Sequence, residues 1–211
     1  MDKMLNNLDL AYELHEAVTA LGFDFSSLSP EAQRIILELG NDRIKLLEKA
    51  IELCFDHQSP EAYLIIGTSY FFLGAKYRKQ AIHYLKKYLY EPSWTPCLES
   101  YRNNYIASVW TNLGKSYEGE YLWNESIDAY NHARLLTPHY PSAYVKIANI
   151  MRKKNQLNLA IEFLDAVKRT EYYTHPLEYS HFDTVINSCY TDLRKKLDNG
   201  YVYKTRSKKV E

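Results

Sequence analysis

The sequence predicts an all-α fold, a solenoid of antiparallel helix pairs, on three observations. Between Pro60 and Tyr173 one plan recurs, twice in tandem at a spacing of 34 residues and once earlier with an insertion. In each copy a small residue (Gly67, Gly114 or Ala148) is framed at fixed offsets. A large residue stands four before it (Tyr63, Trp110, Tyr144), an aliphatic one before it (Ile66, Leu113, Ile147) and a large residue three after it (Tyr70, Tyr117, Met151). At about 3.6 residues per turn these positions share one helix face, where the small residue admits a neighbouring helix and the large ones fill the space beside it. A second stripe follows in each copy. It runs Ala81, Ser126 or Ala160, then Leu85, Tyr130 or Leu164 four on, then Tyr88, Ala133 or Val167 seven on, the pattern of a second packed helix.

Taken in order, Met4 to Leu21 reads as a helix with a broad apolar face (Leu5, Leu8, Ala11, Tyr12, Val18, Leu21), stopped by Gly22. Phe23 to Leu28 reads as a loop whose two phenylalanines, Phe23 and Phe25, anchor it to the adjoining helices. Ser29-Pro30-Glu31 starts the next helix: Ser accepts from free N–H groups, Pro tolerates the first position and Glu suits the positive end of the dipole. That helix stops at Gly40-Asn41, and Asp42 to His57 follows, so 30–57 is expected to be a degenerate helix pair opening the solenoid. The N-terminal region 1–59 is thus a degenerate repeat or cap, and an end repeat is expected to be atypical because one face has no neighbour.

The repeats are expected at 60–92, 107–140 and 141–174, with an insertion at 93–106. The first has two extra residues between its helices, in Gly74 to Ala81, and the second is preceded by Pro92 and Pro96, which break helix. Helix resumes near Cys97 and runs to Tyr117, with Tyr101 and Tyr105 extending its packed face. Gly119-Glu120 is the expected turn, Asn124 the expected cap of the following helix, and Pro138 to Pro141 and Asn155 to Leu157 the next junctions. His175-Pro176 opens a last helix, Leu177 to Leu197, within a capping segment 175–200. Its apolar residues Phe182, Val185, Ile186, Cys189 and Leu193 are expected to cover the third repeat, while His181, Asp183, Asn187, Asp192 and Arg194 make a polar face. Residues 201–211 form a basic tail, expected to be disordered or peripheral.

Trp110-x2-Leu113-Gly114-x2-Tyr117, with Ser126-x3-Tyr130 and Pro138, resembles the tetratricopeptide repeat (TPR) family without a gap. The resemblance covers roughly Pro60 to Tyr173 and implies a TPR-like right-handed superhelix with a concave groove lined by the first helix of each pair. It also implies a non-enzymatic adaptor or scaffold that binds a protein or peptide there. The chain departs from the family at the lengthened first turn and at Tyr172, where a helix-ending Pro is expected.

Composition narrows the alternatives. Formal net charge is zero, so global charge gives no reason to expect nucleic acid or membrane partners. Cys54, Cys97 and Cys189 match neither a disulfide framework nor a zinc spacing, and read as reduced thiols in a cytoplasmic protein. The N-terminus lacks the apolar core of a signal peptide, and no apolar run is long enough to span a bilayer. Twenty tyrosines are present, many on the packing stripes, where the ring is buried and the hydroxyl reaches a polar partner.

No phosphate loop, nucleophile elbow or HExxH stands in the sequence, and neither His132 with His139 nor His175 with His181 has helical ligand spacing. Neither catalytic residues, nor a metal, nor a cofactor is expected. The exposed side of the first helices is expected to line the groove: Thr68; Ser108, Thr111, Asn112 and Lys115; Val145, Lys146, Asn149 and Lys153. Asn112, Lys115, Lys146, Asn149 and Lys153 are the candidate partner-binding ladder, since Asn pairs with both groups of a peptide backbone and Lys meets carboxylates. In the carboxylate clamp of TPR co-chaperones, Asn112 and Lys146 match. Leu64, Thr68 and Ser142 do not, so that specificity is not implied. Two alternatives to a groove binder are an accessory or regulatory subunit touching nucleic acid through the basic tail, and a self-associating structural protein.

Overall fold

The computed structural model describes residues 6–19, 24–90, 99–174 and 181–204. Several expectations lie outside them: the start and Gly22 stop of the first helix, Phe23, the Pro92 to Pro96 break, Cys97, the His175-Pro176 opening and tail residues 205–211. Helices make up the described structure, in two compact units, Met1–Cys97 with Lys115–Glu120 and Leu98–Gly114 with Tyr121–Glu211.

The first unit contains α1 (Asn7–Thr19), a 3-10 turn (Phe25–Ser27), α2 (Pro30–Glu38), α3 (Arg43–Cys54), α4 (Pro60–Leu73), a second 3-10 turn (Ala75–Tyr77) and α5 (Arg78–Leu89). Side chains start several of these helices. Ser29 and Ser59 each accept from the N–H three residues on at 3.2 Å, each followed by Pro at the first helical position. Asp42 accepts from Ile44 and Lys45.

The expected pairing of 30–57 is corrected. α3 pairs with α1, α4 packs on α3 and also touches α1, and α2 packs on α1 instead. The reason is the size of each apolar face. α1 buries Leu10, Ala11 and Leu14, and α3 buries Leu46, Leu47, Ala50, Ile51 and Cys54. The nine-residue α2 buries only Ala32 and Ile36 and leaves Leu37 68% exposed. Each fully buried Leu or Ile contributes about 1.5–3 kcal/mol, so the α1–α3 pairing outweighs the local one. Phe25 is not an anchor either: Asp24 caps its turn through the Ser26 N–H and Phe25 is left 40% exposed, while Leu28 enters the core.

α4 and α5 close on Gly67, where an added Cβ would stand 2.9 Å from the Leu85 backbone nitrogen. The unit also holds the C-terminal end of α6 (Glu99–Gly119), whose Gly119 carbonyl accepts from Arg78 Nη1 at 3.1 Å.

The second unit takes the rest of α6, then α7 (Trp123–Leu136), α8 (Ser142–Lys153), α9 (Leu157–Val167), α10 (Glu171–Thr174) and α11 (Phe182–Asp198). α6 and α7 meet at Gly114, where a Cβ would lie 2.8 Å from the Tyr130 ring, and Ser126 Oγ donates to the Gly114 carbonyl at 2.7 Å. α7 packs on α8, α8 on α9, and α11 on both α8 and α9. Phe182, Ile186 and Leu193 enter that last core beside Tyr144, Ala148 and Leu164, whereas Val185 is exposed.

Three local expectations shift. α6 runs through Gly119, so Glu120 and Tyr121 make the turn, with Tyr121 left-handed at φ 62°. Asn124 does not cap α7, which begins at Trp123 after Leu122; its side-chain oxygen accepts from Lys154 Nζ at 2.9 Å. Tyr105 is also largely at the surface rather than on a packed face.

Candidate partner-binding site

α8 presents Lys146, Asn149, Arg152 and Lys153 on successive turns because its opposite stripe, Ala143, Tyr144, Ile147 and Ala148, is consumed by packing. Lys146 is half-buried and makes no hydrogen bond or ion pair to the described residues. Asn149 accepts from Arg152 Nε at 3.3 Å. Lys153 carries its ammonium 5.5 Å from the centre of the Trp123 ring. Asn149 also lines a cleft of about 500 Å³ between α8 and α11, walled by Val145, Thr184, Val185, Ser188, Cys189 and Asp192. Four of the five candidate residues, Asn112, Lys146, Asn149 and Lys153, thus belong to the second unit. Asn112 sits half-buried on α6, already engaged by a partner.

Lys115 belongs to the first unit, where its ammonium lies 5.7 Å from the Phe71 ring. Thr68, expected to line the groove, is 6% exposed. Its Oγ1 donates to the Leu64 carbonyl at 2.6 Å and stands 2.7 Å from His15 Nε2, so α1 covers it. Nothing local to Thr68 signals this cover, because it comes from a helix 53 residues away.

Arg152 is the residue that sequence reasoning missed. It stands three after Asn149, one turn further along the same face, and that spacing was the available signal. Burial first, then Asp192, pushes the Cys189 thiol up to about 11 against the opposing pull of Arg152 and Lys196, so the thiol is neutral and a poor nucleophile at neutral pH. Tyr144, which donates to the Pro138 carbonyl at 3.0 Å, is likewise shifted up by burial, opposed by Arg134. Among the described residues no group of three His, Cys, Asp or Glu could hold a metal, and no helix is long and apolar enough to cross a membrane.

Paired helices closing on Gly67 and Gly114, with Ala148 fully buried in the core that α8 and α9 share and α7 packed on α8, define an all-α TPR-like helical repeat protein. No protein-family model and no curated protein matches the chain by sequence. Among solved structures it is similar to the nearly identical TPR-like repeats of a Podosopora anserina protein described as a kinesin light chain, at TM-score 0.50 and 12% identity over 93% of this chain and 95% of that one. It also matches two MamA crystal structures. One has TM-score 0.49 and 22% identity over 71% and 74% of the two chains, the other 0.47 and 16% over 82% and 97%.

Proposed function

We propose that this chain is a non-enzymatic interaction module whose α8 face receives a protein or peptide bearing carboxylates. The observation that supports this is Lys146, a cation on the exposed side of the first helix of a pair, left without a counter-ion by the described residues. One turn on, Asn149 opens into the α8–α11 cleft and offers amide pairing to a peptide backbone. A preformed helical face spends its ordering entropy on folding, so the ligand alone loses freedom on binding. Within the second unit, Lys153 on α8 and Asn112 on α6 carry the same chemistry on first helices, and Lys115 carries it on the first unit taken by itself.

The test compares wild type with Lys146→Glu and Lys146→Ala/Asn149→Ala as bait in lysate, with thermal melts to show that folding is intact. Proteins held by wild type, lost from both variants and released by salt support the proposal. The same proteins retained by all three would exclude the α8 face. The nucleic-acid alternative is less favoured because Tyr201 and Tyr203, on which bases would stack, already lie against the Arg152 guanidinium. Salt-dependent retention on RNA would reverse that preference, and a concentration-dependent mass would favour the self-associating alternative.

A further inference from the structure

Residues Tyr201–Lys204 are not free of the second unit: they return to the turn between α8 and α9. There Asn155 Oδ1 accepts from the Tyr203 N–H at 2.6 Å, and Asn155 Nδ2 donates to the Tyr203 carbonyl at 3.4 Å. One side-chain amide therefore pairs with both polar groups of one residue, which reads backbone and not side chain. Two residues earlier, the Tyr201 hydroxyl accepts from Arg152 Nη1 at 2.9 Å. The same guanidinium lies 5.7 Å from the Tyr201 ring and 5.9 Å from the Tyr203 ring, within cation–π range of both. Asn149 holds Arg152 from the other side, and Val202 between the tyrosines is 63% exposed. Asn155 is itself placed by the turn: its φ of 60° is left-handed, a conformation that Asn tolerates better than most residues.

We propose that the α8–α9 turn is a peptide-binding site for non-helical Tyr-X-Tyr segments, occupied in cis by the chain's own Tyr201–Tyr203. Asn155 supplies the backbone clamp and Arg152 selects aromatic rings two residues apart, with no demand on the residue between them. The tether holds the cis segment at an effective concentration on the order of millimolar, so a free peptide competes weakly until the tail contacts are removed. The two sites share the Asn149–Arg152 contact, but among the described residues no hydrogen bond links Lys146 to Arg152 or Asn155, so Lys146→Glu tests the α8 face without touching the tail clamp.

The test measures fluorescence polarisation of a labelled Asn-Gly-Tyr-Val-Tyr-Lys peptide, matching residues 199–204, against three full-length proteins. These are wild type, Tyr201→Ala/Tyr203→Pro, and that variant with Asn155→Gly added. Proline removes the N–H that Asn155 accepts, and glycine keeps the left-handed turn while deleting the amide. The tail variant is expected to bind at least tenfold more tightly than wild type, Asn155→Gly to abolish the gain, and Lys146→Glu to leave it unchanged. A peptide with Pro in place of the second tyrosine is expected not to bind. Equal affinity for wild type and tail variant, or a gain that survives Asn155→Gly in a protein of unchanged melting temperature, would overturn the proposal.

Discussion

At Gly67 a single methyl group would stand 2.9 Å from the Leu85 backbone nitrogen and 2.9–3.0 Å from its side chain. The backbone atom cannot swing aside, so Gly67→Ala is expected to destabilise the protein by about 1–3 kcal/mol. A lowered urea midpoint at unchanged slope is the readout, and an unchanged midpoint would mean that α4 and α5 separate without cost. Gly67 and Gly114 were legible in the sequence because a close helix contact leaves a small residue at a fixed offset from large ones. Ser126 was legible only as small: its hydroxyl bond to the Gly114 carbonyl depends on where two helices cross. Thr68 was misplaced for the same reason, since a threonine on a helix face looks the same whether it meets solvent or His15.

Among the elements, α11 depends most on one side chain. Phe182 is fully buried at its first turn, edge-on to Tyr144 at 5.6 Å and close to Tyr172. Phe182→Ala is expected to cost about 3–5 kcal/mol and to loosen α11 before the rest of the second unit. Hydrogen exchange would show the α11 amides losing protection while α8 keeps its own; uniform loss across both would contradict this. Helix starts at Ser29-Pro30 and Asp42 could be read from sequence because a cap is a contact two or three residues long. Which helix pairs with α3 could not, because α2 and α1 both carry apolar stripes and only their relative area decides. Arg152 and Asn155 are not legible as a tail-binding pair because their partners lie 49 and 48 residues away, respectively.

For the whole molecule the accessible variable is pH. Burial pushes the Cys54 thiol from its ordinary value of 9.0 up to about 12, and Cys189 to about 11. Above pH 9 the unfolded chain releases these protons while the folded chain keeps them, so the unfolded state binds fewer and stability falls as pH rises. The contribution is intact below pH 9 and lost progressively through about pH 11 to 12. Urea midpoints at pH 8 and pH 10.5 are expected to decline in wild type and to decline less in Cys54→Ala/Cys189→Ala. An equal decline in both would assign the effect to other groups. At this scale the 34-residue spacing was the most legible feature of all, because a repeated contact between neighbours writes a period into the chain.

The α1–α3 pairing has no such period, and it sets an order of events during synthesis. α1 leaves the ribosome before residues 20–42 and before the helix that covers it, so Leu10, Ala11 and Leu14 wait in the nascent chain without their partner. α4 and α5, separated only by a short turn, can close on each other as soon as both emerge. The earlier partner of the α1–α3 pair is therefore held back by its own topology. Closing the intervening loop costs entropy that grows with the logarithm of its length, a cost the α4–α5 hairpin largely escapes.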